Sequence, residues 1–222
     1  MRDIALARLL QLASQALPIG GYSHSQGLES AIEHGVVNDE SSLLRWVSDI
    51  LEFSMKSFEV PCLLSLAAAW AQSSPAAVAA LNDEYLATRE SAEMRAAAAQ
   101  MGFSLRALLC TLPDFPPGTL DVLRSIPEPS LPCAWSAAIA AWHIELREAV
   151  IGYLWTWAEN QVLVAMKAVP IGQSAGQRVL FAVGSRITAI AAAEFSGGSN
   201  FCPGLAILSS QHETQYSRLF RS

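Results

Sequence analysis

The densest run of reactive side chains lies near the N-terminus, in Gly20-Gly21-Tyr22-Ser23-His24-Ser25-Gln26-Gly27-Leu28-Glu29. Glycine-rich backbone ahead of a helix can turn its N–H groups toward an anion. Ser23, His24 and Ser25 are the residue types of nucleophilic hydrolysis. A working triad, however, needs groups converging from separate segments, which adjacent residues do not readily supply. The plainer reading is a tight interhelix turn in which a serine caps the next helix. The histidines are His24, His34, His143 and His212, and none has a second histidine four residues on, so no helical two-ligand metal site is visible. His143 reads as a core or boundary residue of an apolar helix. A metal held by His24, Cys202 and His212 would need ligands brought from distant segments or across a dimer. The cysteines, Cys62, Cys110, Cys133 and Cys202, are too far apart for a CxxC pair. Scattered single thiols fit a reducing compartment and are expected to serve as small buried hydrophobes. The chain has no GxxxxGK[ST], no GxGxxG after a strand, no HExxH and no GxSxG.

Two further segments carry polar groups in unusual settings. Around Pro170-Ile171-Gly172 the chain must bend sharply, with Lys167 before the bend and Gln173 and Gln177 after it. Glutamines there can satisfy backbone groups freed by the break, or face a partner or a polar cavity. The C-terminal run Gln211 to Ser222 mixes Tyr216, Arg218, Leu219, Phe220 and Arg221. Tyrosine and arginine are the anchors of protein interfaces. Leu219 and Phe220 at a chain end need a dock, either on the chain's own core or on another protein.

The elements that must carry these residues read as helices. Leu6, Leu9, Leu10, Ala13 and Leu17 share one helical face, ended by Pro18. A short helix is expected from about Ser25 to His34, closed by Gly35. Asn38 or Asp39 caps the next one, and Pro61 opens another that runs to about Trp70. From Ser74-Pro75 to about Leu109 strong helix formers dominate. The proline-rich stretch from Leu112 to Pro132 is a loop with at most one short helix. Cys133 to about Val169 is helical, with a break expected near Gly152, and Gln173 to Phe195 forms a further helix. Period-2 alternation is scarce. The fold class is therefore all-α, a single multi-helix bundle-like domain over 1–195. A flexible linker, Ser196 to Asn200, and a C-terminal partner- or dimer-binding tail make up 196–222.

Composition narrows the classes. Hydrophobic residues make up 52% of the 222 and charged residues 15%, with a net charge of −6. So few charges leave either apolar surface for partners or an Ala-rich helical domain that needs fewer. An acidic chain without Lys/Arg runs does not suit nucleic acid or anionic lipid. No stretch offers the ~18 uninterrupted apolar residues of a membrane span, so a cytoplasmic protein is expected.

Taken together, three segments resemble the urease accessory protein UreF family. They are Leu9 to Glu29, Asn160 to Gln177 with its Pro-Ile-Gly-Gln elbow, and His212 to Ser222, in that order. Tyr22 departs from the phenylalanine common there but keeps the ring. The middle, about Glu40 to Leu131, is compatible only in character. The resemblance implies a homodimer without a catalytic site or cofactor of its own. It implies a complex with UreD (also called UreH) and the GTPase UreG that inserts nickel into apo-urease, with the chain bridging the two and modulating the GTPase cycle and the fidelity of insertion. It marks Tyr216, Arg218, Leu219, Phe220 and Arg221 as partner contacts and Lys167 as a candidate gate, with Gln173, Gln26 and Glu29 as further contact candidates. Competing readings are a nickel-binding carrier using His24, Cys202 and His212, and a small hydrolase or transferase using the Ser23-His24-Ser25 loop.

Overall fold

The N-terminal helix stops where proline makes it stop. In the computed structural model, which describes residues 2–195 and 198–221 (the side chain of Arg2 excepted), α1 spans Arg2–Leu12. Pro18 disfavours helical backbone at the residue before it, and the chain leaves α1 through short turn bonds such as Leu17 N–H to the Ser14 carbonyl, 3.0 Å. The buried face is Ala5, Leu9 and Leu12, with Leu17 beyond the helix end. Leu6 and Leu10, expected inward, are exposed. A single turn at Gly21–Ser23 leads to α2, Leu28–Glu33, closed as expected by Gly35 at φ +72°. Asp39 caps α3, Glu40–Ile50, by accepting from the Ser42 N–H at 2.7 Å in a reciprocal capping box.

Instead of ending before Pro61, this helix runs on. Residues Leu51–Glu59 take a π-helical path and pass without a break into α4, Val60–Ala71. Proline has no N–H to give to the carbonyl four residues back, and that carbonyl, on Ser57, accepts instead from the Ser199 N–H at 2.9 Å. The 75–109 stretch is two helices, α5 (Pro75–Ala87) and α6 (Ala92–Leu109), because the Ser91 hydroxyl caps a new start at the Met94 N–H, 3.1 Å. The proline-rich loop holds one short helix, α7, Pro117–Ser125.

The break expected near Gly152 falls ten residues earlier. Helix α8, Leu131–Ala141, ends at a turn where His143 takes φ +51° and stands exposed rather than in the core. Helix α9, Leu146–Ala168, then runs straight through Gly152. Glycine is used there for closeness, since a Cβ at 152 would lie 2.7 Å from Leu9 Cδ1 of α1. The clash outweighs alanine's better helix propensity. Gly152→Ala should therefore cost about 1 kcal/mol net, a fall of about 2–4 °C in melting temperature by calorimetry. After the elbow come α10, Gln173–Ala191, and α11, Pro203–His212.

The packing is helix on helix around one main core, with α9 central and lying against α1, α2, α3 and α10. Among the described residues no strand occurs, so the fold is all-α, and no helix is long and apolar enough to cross a membrane. Of the expected linker, Ser196 and Gly197 lie outside the described residues, as does the terminal Ser222. Ser199 and Asn200 are tied down, Asn200 by donating to the Thr88 carbonyl at 2.8 Å.

Candidate partner-binding site

The three segments singled out in the sequence meet in space. Helix α9 fixes the first: Asn160 Nδ2 donates to the His24 carbonyl at 2.9 Å and Gln161 Nε2 to the Ser25 carbonyl at 3.0 Å. Gln161 is itself oriented by Trp46 Nε1, 3.0 Å. The turn they hold puts Gln26 at φ +52° and Gly27 at φ +85°. Gly27 also makes room for α11, since a Cβ there would stand 3.0 Å from Leu205.

The tail folds back onto this turn. Glu29, buried in α2, accepts the Leu219 N–H at 2.6 Å, the Phe220 N–H at 3.0 Å and His212 Nε2 at 3.0 Å. On the other side of the same ring, His212 Nδ1 lies 2.5 Å from Glu93 Oε2 of α6, and Arg218 pairs with Glu93 Oε1 at 2.7 Å. Glu213 caps the start of α6 by accepting the Ala92 N–H at 2.8 Å. Ser91 and Ser209 hydroxyls meet at 2.5 Å. The Arg221 N–H closes the circuit on the Ser23 carbonyl, 2.8 Å. Phe220 inserts, and Lys167 Nζ from the end of α9 stands 5.7 Å from its ring and 5.9 Å from that of Tyr22, a cation–π arrangement.

The expected contact residues thus divide. Glu29 and Phe220 are buried and hold the tail to its own chain. Tyr216 is fully exposed and Leu219 is 71% exposed, and Arg218, Arg221 and Lys167 are also on the surface. Gln26 is half-buried beside a cavity of about 90 Å³. Gln173 is exposed at the start of α10, with no described contact to the tail. Glu93, Glu213 and Tyr22 were missed as site residues. Glu93 and Glu213 carry no local signal, because their partners lie about 120 residues away.

The alternative chemistries do not assemble. The Ser23 hydroxyl is given to the Gly20 carbonyl at 2.7 Å, not to His24. Cys202 and His212 lie at the two ends of the ten-residue α11, about 15 Å apart at 1.5 Å per residue, so they cannot share one ion. Among the described residues no group of three His, Cys, Asp or Glu side chains could hold a metal. Burial pushes the Cys62 and Cys133 thiols up to about 12 and raises that of Cys202, so they are poor nucleophiles.

Residues 37–184 match the family model described as UreF. The chain belongs to the UreF family. Its likeness to relatives extends past that span to the turn and the tail. It is 52% identical to the urease accessory protein UreF of Azoarcus sp. (strain BH72), over 99% of this chain and 96% of that protein. It is 50% identical to that of Dechloromonas aromatica (strain RCB), over 99% and 98%, and 44% identical to that of Methylobacillus flagellatus, over 98% of each. In this UreF-family chain the tail and the turn it docks on lie outside 37–184, while Ser91, Ala92, Glu93, Asn160, Gln161 and Lys167, which hold them, lie inside that span.

Proposed function

We propose that the chain serves urease maturation as a cytoplasmic, non-catalytic bridge between UreD/UreH and the GTPase UreG in the complex that inserts nickel into apo-urease. As a homodimer it presents two copies of the same contact surface and modulates the GTPase cycle and the fidelity of nickel insertion. The relatives' shared name supports the pathway. The observation that carries the contact surface is the clasp. Backbone bonds to Glu29 hold the tail, yet Tyr216 and Leu219 are left facing outward. Large apolar side chains fixed on a rigid surface lose little entropy when a partner covers them. Basic Arg218, Arg221 and Lys167 rim the same patch.

The test is removal of residues 218–222. Co-purification with UreD and UreG should be lost, and urease activation with it, while the remaining helices keep their melting transition. A truncated chain that still assembled the complex would sink the contact claim. His24→Ala should leave the complex assembled at neutral pH; loss of turnover of an identified substrate would instead favour the hydrolase reading.

A further inference from the structure

We propose that the cavity of about 90 Å³ enclosed between α5, α6, α8 and α9 is a binding site for a small neutral molecule with an amide head and a short apolar body. The site is separate from the outward Tyr216 and Leu219 side chains and does not depend on the bridging role.

Three buried side chains on the cavity wall carry hydrogen-bonding atoms that no described residue answers. Arg89, just beyond α5, offers Nε–H and Nη2–H. Trp135 of α8 offers its indole N–H, and Asn160 of α9 offers Oδ1. The Arg89 side chain is 3% exposed, and Trp135 and Asn160 are buried. Each is also held by another contact. Arg89 Nη1 donates to Glu59 at 2.6 Å, the Trp135 ring stands edge-on to Tyr153, and Asn160 Nδ2 donates to the His24 carbonyl. Buried polar groups are nearly always paired, so three open ones on a single cavity point to an occupant.

Charge and size choose that occupant. Glu59 already meets the Arg89 guanidinium, and Glu90 brings a second negative charge to bear on it. An anion would be a third around one buried cation. The wall offers N–H groups on three nitrogens and one acceptor oxygen, so the occupant must accept at one end and donate at the other. A primary amide does both: its carbonyl suits the open Arg89 edge and its NH2 suits Asn160. Much of the remaining wall is apolar and includes Met55, Met94 and Met101, whose flexible thioethers adapt to a small irregular body. Water alone would answer the polar atoms and leave the methionine side unfilled; the whole volume equals about three waters at ~30 Å³ each. Gln26 of the opening turn and Leu205 of α11 close one side. The docked tail pins that turn through the Arg221 N–H on the Ser23 carbonyl, and Glu29 binds both the tail and His212 of α11. Release of the tail opens that side.

The experiment titrates the full-length chain, labelled with carbon-13 at its methionine methyls, with propionamide and in parallel with propionate. Propionamide should shift the Met55, Met94 and Met101 signals saturably, with a Kd of about 1 mM, in the range open to so few atoms. Propionate should bind about tenfold more weakly or not at all. Trp135→Phe removes one donor and should weaken propionamide about tenfold. Ala98→Leu fills the cavity from α6 and should abolish the shifts. Dispersion of the other methyl signals reports folding, and where a variant fails to fold the wild-type titration decides. Absence of a saturable shift means that the cavity takes water only and overturns the proposal. Propionate binding as tightly as propionamide overturns it too, as does unchanged affinity in the folded variants.

Discussion

Glu29→Gln should release the tail and cut urease activation by about tenfold or more. The carboxylate accepts three bonds, from the Leu219 and Phe220 N–H groups and from His212. A carboxamide keeps one oxygen and turns an NH2 toward at least one of those donors. Bonds to a charged acceptor contribute about 1.5–3 kcal/mol each, and a buried donor facing another donor costs more than a bond simply lost. A loss of about 3 kcal/mol is a hundredfold change in the docking equilibrium. The tail has few other holds: Phe220 is its one buried apolar side chain, and ordering each residue costs about 1–2 kcal/mol. If partners bind the docked form, their apparent affinity falls with the docked fraction. Two measurements check this: exchange protection at Leu219 and Phe220, and pull-down of UreD. A variant with an undocked tail and undiminished pull-down would show that the partner itself orders the tail.

The opening turn, the elbow and the tail were legible because each announces itself locally, by glycine and proline punctuation or by sticky residues near a chain end. Their meeting was not. Glu29 reads as an ordinary helix-start acid, and nothing near it in sequence says that it holds amides 190 residues away. The same limit explains the division of α5 from α6, where Ser91 was available as a cap but Ala-rich flanks masked the stop. It explains the misplaced break in α9: the glycine signal is the same for a bend and for a close approach, and only Leu9 of α1 decides between them. The π-helical turn was invisible for a related reason. Proline at 61 suggests a start, and only the Ser199 amide, supplied from far along the chain, lets the helix continue past it. Helix existence and class follow from local composition; pairing of buried polar groups depends on the whole fold.

The largest expected loss of stability lies where that π-helical segment ends. Glu59 is 5% exposed and accepts from Tyr85 at 2.8 Å, Tyr153 at 3.0 Å and Arg89 at 2.6 Å. The Arg89 guanidinium is stacked 4.3 Å from the Tyr85 ring and 5.0 Å from that of Phe58. Burial first, together with Glu59, holds the Tyr153 phenol protonated well above its usual range, so it stays a donor to the carboxylate. Glu59→Gln removes the carboxylate paired with Arg89 and turns an amide donor toward groups that already donate. Breaking one half of a buried pair costs about 3–5 kcal/mol, because the surviving charge is stranded. At this chain length that is a fall of about 10 °C or more in melting temperature. Replacing both partners, Glu59→Gln with Arg89→Met, removes the stranded charge and should recover part of the loss. A double-mutant cycle read by calorimetry checks this: a double variant whose loss equals or exceeds the sum of the two singles would show that Arg89 stabilises the fold through the Phe58 and Tyr85 rings rather than through Glu59. The recovery is expected to be partial, since the two tyrosine hydroxyls would still need an acceptor that only the Glu59 carboxylate supplies in full.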